Sequence, residues 1–200
     1  MYKAQGMFKN LFGASKTALI EQMGSSENRR ALKAVEKLRS KGWFRDGSLR
    51  GIRLEGADLR GVALAKADLE GAHLVRAHLA RAYLGQTNLR GANLHRAILT
   101  DANMREVILT GADLREADLQ RAYLAVAQLA EAHLTDADLR GANLWQADLR
   151  GANLHRTRLA GVLLFETRFD ERTVLPDGEC WSPQGDLNRF TDPQHPQFVD

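Results

Sequence analysis

The sequence predicts an all-β solenoid: a parallel β-helix with four sides and about six coils, preceded by an α-helical segment. Three observations carry this. A large apolar residue recurs at every fifth position from Leu49 to Phe169, 25 positions of which 23 are Leu and the others Met104 and Phe169. Two residues before each sits a small or β-branched residue, Ala in 17 of the 25 units. Two residues after it, nine positions are Gly, and Gly51, Gly71, Gly91, Gly111 and Gly151 fall at multiples of 20.

Residues 1–45 read as a basic helical segment and cap, with 10 Lys and Arg against 3 Asp and Glu. Residues 3–23 place Met7, Phe8, Leu11, Phe12, Leu19 and Ile20 among lysines. A basic amphipathic helix of this kind can dock on the rod or a partner, or lie on an anionic membrane at about 1 kcal/mol per basic residue. Ser25 or Ser26 can N-cap a second helix that buries Ala31, Leu32, Val35 and Leu38 and stops at Gly42. Trp43 and Phe44 then stand where a cap would seal the first coil.

Residues 46–175 are the repeat. A period of five fits neither the 3.6 of a helix nor the 2 of a long flat strand, so the chain must turn once per unit. In extended backbone the small residue and the Leu, two apart, share one side while the residue between them, often Asp or Asn, faces outward. Two corner residues follow, and winding this pattern about an axis buries every Leu and Ala while successive turns stack through backbone hydrogen bonds. The glycine spacing sets 20 residues per turn and hence four sides. Met104 sits within the Leu ladder as a flexible core filler.

Residues 176–200 read as a C-terminal cap and irregular tail. Pro176-Asp177-Gly178 is a turn signal, Trp181 is a candidate lid, and the stretch from Ser182 is rich in Pro, Asp and Gln.

The units Ala57-Asp58-Leu59, Ala92-Asn93-Leu94, Ala112-Asp113-Leu114 and Ala152-Asn153-Leu154 resemble the A-(D/N)-L-x-x units of the pentapeptide-repeat proteins. The resemblance covers roughly two thirds of the chain and implies a right-handed, four-sided β-helix. It implies no single function.

The remaining composition excludes more than it assigns. The single Cys180 forms no intrachain disulfide, and no residues follow metal-ligand spacing, so neither a metal nor another cofactor is expected. The first twenty residues hold no uninterrupted apolar run or cleavage signal, and no stretch nears 18 apolar residues, which points to a cytoplasmic protein, with peripheral membrane contact left open through residues 3–23. His73, His95, His133 and His155 share one side and His78 lies on the next, all outward and without paired inward carboxylates. No nucleophile–base constellation or phosphate loop occurs, and a Leu-filled interior leaves no room for a small-molecule substrate, so the chain reads as no enzyme.

Sorting outward residues by side isolates one that is poor in charge. It carries Ala63, Tyr83, Asn103, Tyr123, Asn143 and Leu163 before the Leu ladder, and Ala65, Gly85, Arg105, Ala125, Trp145 and Phe165 after it. Tyr83, Tyr123, Ala125, Val126, Trp145, Leu163 and Phe165 form the candidate protein interface, for a partner or for self-association, unless a terminal segment folds back to cover them. The leading expectation is a non-catalytic interaction scaffold.

A second reading, DNA mimicry toward a type II topoisomerase such as gyrase, is what the family resemblance brings. A rod of roughly 30 Å would need on the order of 18 net negative charges to imitate duplex DNA. Between Gly47 and Leu175 there are 17 basic and 16 acidic residues, and Arg115, Arg121 and Arg140 interrupt the acidic stripe of Asp113, Glu116, Asp118, Asp136 and Asp138. Direct nucleic-acid binding is disfavoured for the same reason: basic residues are mixed with acids and no recognition motif accompanies them.

Overall fold

Each five-residue unit makes the same short excursion and the same corner. The computed structural model describes residues 14–198. Parallel bridges join each middle residue to the one 20 positions later, as in Arg53 with His73, His73 with Asn93 and Asn93 with Asp113. Twenty residues therefore complete one coil of four units. Four ladders run along the rod: side A from Arg53 to Asn153, side B from Asp58 to Arg158, side C from Ala63 to Leu163, and side D from Asp68 to Arg168.

The corners follow from backbone sterics. The Val62 N–H donates to the Leu59 carbonyl over 3.1 Å, and Gly61 between them has φ 66°. A bond from the fourth residue to the first, with positive φ at the third, is the signature of a type II turn. The same sign recurs at every second-corner position from Gly51 to Glu166, and fifteen of these residues are not glycine. The corner glycines all have positive φ, and the 20-residue coil read from their spacing holds, but the same backbone sign occurs at the non-glycine corners of every side. Every corner is left-handed whatever residue occupies it, at about 1–2 kcal/mol for each L-residue. Repeated inter-coil bonds hold these residues in place.

Backbone polarity is satisfied unit by unit. The Leu54 N–H donates to the His73 carbonyl (2.8 Å), the His73 N–H to Ile52 (2.9 Å), and the Gly51 N–H to Glu70 (2.8 Å). The N–H of the first corner residue is left over, and in many of the units whose middle residue is Asp or Asn that side chain, two residues earlier, accepts it. Oδ1 of Asp113 takes the Arg115 N–H (3.1 Å), that of Asn143 the Trp145 N–H (2.9 Å), and that of Asn153 the His155 N–H (3.0 Å). This is the physical reason for Asp or Asn in the middle of the unit: a short side chain can reach its own backbone two residues on. Inside the coil, Thr replaces Ala without leaving an orphan hydroxyl, since Thr87 donates to the Leu64 carbonyl (2.9 Å) and Thr157 to that of Leu134 (2.8 Å).

Both ends of the rod are covered. Helix α1 (Lys16–Met23) buries Leu19 and Met23, and α2 (Asn28–Ser40) buries Ala31, Ala34, Val35 and Leu38, with Leu32 partly buried. The cap of α2 is Glu27, without a side-chain bond, rather than Ser25 or Ser26. Ser25 is engaged elsewhere: its Oγ accepts the Glu27 N–H, and its carbonyl accepts the N–H of Asp58 on the first strand edge of side B (3.1 Å). At the other end of α2, Gly42 has φ 73°, its N–H donates to Arg39, and that of Trp43 donates to Leu38. This pair of bonds is a Schellman closure.

Phe44 is buried and its carbonyl accepts the Asp68 N–H on side D, while Trp43 is half-buried between the Lys16 and Lys41 ammonium groups. At the C-terminal end, Val174 pairs with Asn153 on side A, and Trp181 stacks on Phe169 at 5.9 Å. The tail is less irregular than its composition suggests. A short helix, α3 (Asn188–Thr191), buries Phe190, and the Thr191 carbonyl accepts the Gly161 N–H.

The expected amphipathic helix over residues 3–23 is only partly described, because residues 3–13 lie outside the described residues. Over Lys16–Met23 the apolar positions Leu19 and Met23 are packed into the common core, so this stretch presents no apolar face to a membrane. Among the described residues, no helix is long and apolar enough to cross one.

Candidate functional site

Side C differs from the other three in what its strands hold up to solvent. Its middle residues are Ala63, Tyr83, Asn103, Tyr123, Asn143 and Leu163, none of them charged at neutral pH. The other ladders carry Arg53 and Asp113, Asp58 and Arg158, or Asp68 and Arg168. All five exposed large hydrophobic residues among the described residues lie on side C or its following corner: Tyr83 (57% exposed), Tyr123 (39%), Trp145 (37%), Leu163 (58%) and Phe165 (68%). Among the described residues the terminal segments pack toward the two ends of the rod, with α2 reaching the row only at Ala63, and Tyr83, Tyr123, Trp145, Leu163 and Phe165 are left exposed.

The ladder fixes the backbone positions from which these side chains project. Tyr123 pairs with Asn103 on one side and Asn143 on the other, and Leu163 stacks beyond Asn143. Trp145 is anchored twice, its N–H held by Asn143 and its carbonyl accepting the Val126 N–H at 2.8 Å. Val126 is half-buried at φ 61°. A β-branched residue there is a steric outlier, held at the sign of φ that every corner of the rod shares.

One residue of the sequence-derived set does not belong. Ala125 is fully buried (0% exposed), so it contributes no contact area. Its methyl group lies at the first corner position between the far larger Arg105 and Trp145 of the neighbouring coils, and a side chain that short stays below their level.

The other three sides are bound up in ion pairs. Arg60, Arg115 and Arg150 each grip the Asp two residues earlier with Nε and an Nη, at 2.8 Å for Nε of Arg60 and Arg115 and 2.9 Å for Nε of Arg150. These hydrogen bonds hold the carboxyls of Asp58, Asp113 and Asp148 below the ordinary Asp range. Pairs also bridge neighbouring coils: Arg96 with Glu116 (2.8 Å), Arg121 with Asp101 (2.8 Å) and Arg156 with Asp136 (2.9 Å).

The histidines face outward: His73, His78, His133 and His155 are exposed, and half-buried His95 approaches Glu116 at 3.7 Å. Among the described residues, no three His, Cys, Asp or Glu side chains are grouped to hold a metal ion. The inward Leu and Ala positions are almost wholly closed to solvent from Leu54 to Leu154.

Residues 44–74, 72–111 and 127–164 match the family described as pentapeptide repeats, in 8 copies, more than half of the chain. Among curated proteins none matches. Among solved structures the chain is similar to HetL, a pentapeptide repeat protein involved in heterocyst differentiation regulation in the cyanobacterium Nostoc sp. strain PCC 7120. Identity is 31%, over 66% of this chain and 76% of that one, with a TM-score of 0.32. A pentapeptide repeat protein, Rfr23 from the cyanobacterium Cyanothece 51142, is 40% identical over 49% of this chain and 63% of its own, with a TM-score of 0.29. QnrB1, a plasmid-mediated fluoroquinolone resistance protein, is 17% identical over 60% and 79%, with a TM-score of 0.38.

Proposed function

The chain belongs to the pentapeptide-repeat family, whose members fold as right-handed four-sided β-helices, and from that premise we propose that it is a non-catalytic interaction scaffold presenting side C to a protein. The observation that carries this reading is the confinement of every exposed large hydrophobic residue among the described residues to one side of the rod. Contiguous exposed apolar patches on soluble proteins mark contact sites, and Tyr and Trp are enriched among residues that dominate binding energy.

The mechanism is presentation. About six coils at ~4.8 Å spacing make a rod of roughly 30 Å. Its ladder bonds fix Tyr83, Tyr123, Trp145, Leu163 and Phe165 on one side before a partner arrives. No backbone ordering then remains to offset the area buried on contact, only that of the side chains themselves. DNA mimicry draws no support from the acids of sides A, B and D, because Asp58, Asp113, Asp138 and Asp148 are each neutralised by an adjacent Arg.

The test replaces Trp145 and Phe165 with Ser and compares capture of proteins from the native extract. Loss of specific capture with the fold intact supports the reading. Unchanged capture removes side C from it.

A further inference from the structure

The large and small residues of side C are distributed as mirror halves of one another. The C-terminal half holds Trp145, Leu163 and Phe165, and the N-terminal half holds Ala63, Ala65 and Gly85. Consider a second copy laid face to face and antiparallel, related by a two-fold axis that runs along the strands between Asn103 and Tyr123. Each position then meets its counterpart counted from the opposite end. Leu163 falls on Ala63, Phe165 on Ala65, and Trp145 on Gly85, so each of these three large side chains lands on a small residue. In the middle row, Tyr83 meets Asn143 and Tyr123 meets Asn103.

The charges at the two flanking corners fit the same register. Lys66 meets Glu166. Asp101 meets Arg121 on either side of the axis, and because these two already pair within one molecule at 2.8 Å, the two copies would close a four-membered ring of alternating charge. Arg81 falls on Gly141 and Arg140 on Ala80, so no like charges confront each other at any coil. Sliding the copies by one coil toward the N-terminus sets Arg81 against Arg121, and the register is thereby fixed by repulsion as well as attraction. A crevice between α2 and the first coil, lined by Leu32, Val35, Glu36, Arg39, Gly61 and Ala63, lies where Leu163 of the second copy arrives.

From this self-complementarity we infer that side C pairs with side C of a second copy, in an antiparallel dimer with its two-fold axis between Asn103 and Tyr123. The inference rests on the reading of side C as a contact surface and names its occupant. Isologous pairing requires one patch that matches itself, which is the commonest symmetry of soluble oligomers. A face of about six coils, roughly 30 Å by roughly 15–20 Å, falls short of the ~800 Å² per partner of a standard interface. The population of the dimer is therefore expected to depend on concentration.

Sedimentation equilibrium of the full chain from about 1 to about 300 μM tests this. The weight-average mass is expected to rise from the monomer value of 22.2 kDa toward twice that. Glu166→Lys faces Lys66 and should weaken the dimer about tenfold. Adding Lys66→Glu to the same chain restores opposite charges only in the antiparallel register, and should return affinity to within about threefold of the natural chain. Gly85→Leu tests the steric half. A Cβ there meets nothing nearer than the Arg105 carbonyl oxygen at 3.6 Å, so the fold is kept while the space for Trp145 is filled, and dimerisation should be lost.

A mass that stays monomeric at every concentration overturns the dimer, as does a Lys66→Glu/Glu166→Lys chain no tighter than Glu166→Lys alone. If the natural chain is monomeric but the Trp145→Ser/Phe165→Ser chain loses a captured protein, the dimer falls and the scaffold reading stands. If neither mass nor capture responds to that double change, both fall.

Discussion

The N–H of Val126 donates to the carbonyl of Trp145 over 2.8 Å while Val126 itself sits at φ 61°. A strained corner residue and the indole-bearing residue of the next coil are thus held by one bond at the edge of the exposed apolar row. Replacing Val126 with Gly removes the left-handed penalty of about 1–2 kcal/mol and adds about 0.5–1 kcal/mol of chain entropy cost. The expected result is a chain as stable or up to about 1.5 kcal/mol more stable by urea unfolding, yet with weaker association. The converse change, Gly91→Ala at φ 61° with nothing within 4 Å of the added carbon, should cost about 1 kcal/mol through backbone strain alone.

Asn143 carries the second anchor of Trp145. Asn143→Ala frees the Trp145 N–H, now bonded at 2.9 Å, and should lower stability by about 0.5–1.5 kcal/mol. Asn143→Asp retains an acceptor and should lose much less, as read by urea unfolding of the two variants side by side.

The rod is held from within by its Leu ladder. Leu124 is fully buried in mid-ladder, and Leu124→Ala should cost about 2–5 kcal/mol, because stacked coils on both sides limit collapse into the cavity. Met104→Leu, which restores the ladder residue at nearly constant volume, should change stability by less than about 1.5 kcal/mol. Thermal unfolding followed by circular dichroism checks both.

Acid should loosen the outer surface before it reaches the core. The carboxyls of Asp58, Asp113 and Asp148 are lowered by hydrogen bonds from Arg60, Arg115 and Arg150. A folded value below the unfolded one near 3.9 contributes stability above that pH and loses it as pH falls through the folded value. The melting temperature should hold between pH 5 and 7 and fall below about pH 4. Arg115→Gln should flatten part of that fall.

The ladder and its period were legible because they depend on residue type alone: Leu and Ala at fixed spacing have one way to be buried together. The corners were not. Lys66, Arg76 and Val126 adopt the same sign of φ as Gly61, and nothing in their chemistry announces it, since stacking bonds from adjacent coils impose the turn. Ala125 was misplaced because its side was assigned correctly but its depth depends on taller neighbours. The burial of the terminal plug Phe190 is not legible, because one aromatic residue in a polar tail carries no periodic signal. The candidate row itself was visible once residues were sorted by side, for it uses only the period of 20.

Hydroxyl-radical footprinting of aromatic side chains tests the role of side C most directly, comparing the protein in its native cells with the purified chain at about 1 μM, below the association range expected for so small a face. Tyr83, Tyr123, Trp145 and Phe165 are predicted to be oxidised several-fold more slowly in the cell, while half-buried Trp43 and Trp181 at the rod ends react alike in both. Equal rates at all four positions in the two settings would contradict the claim that this side of the rod is a contact surface.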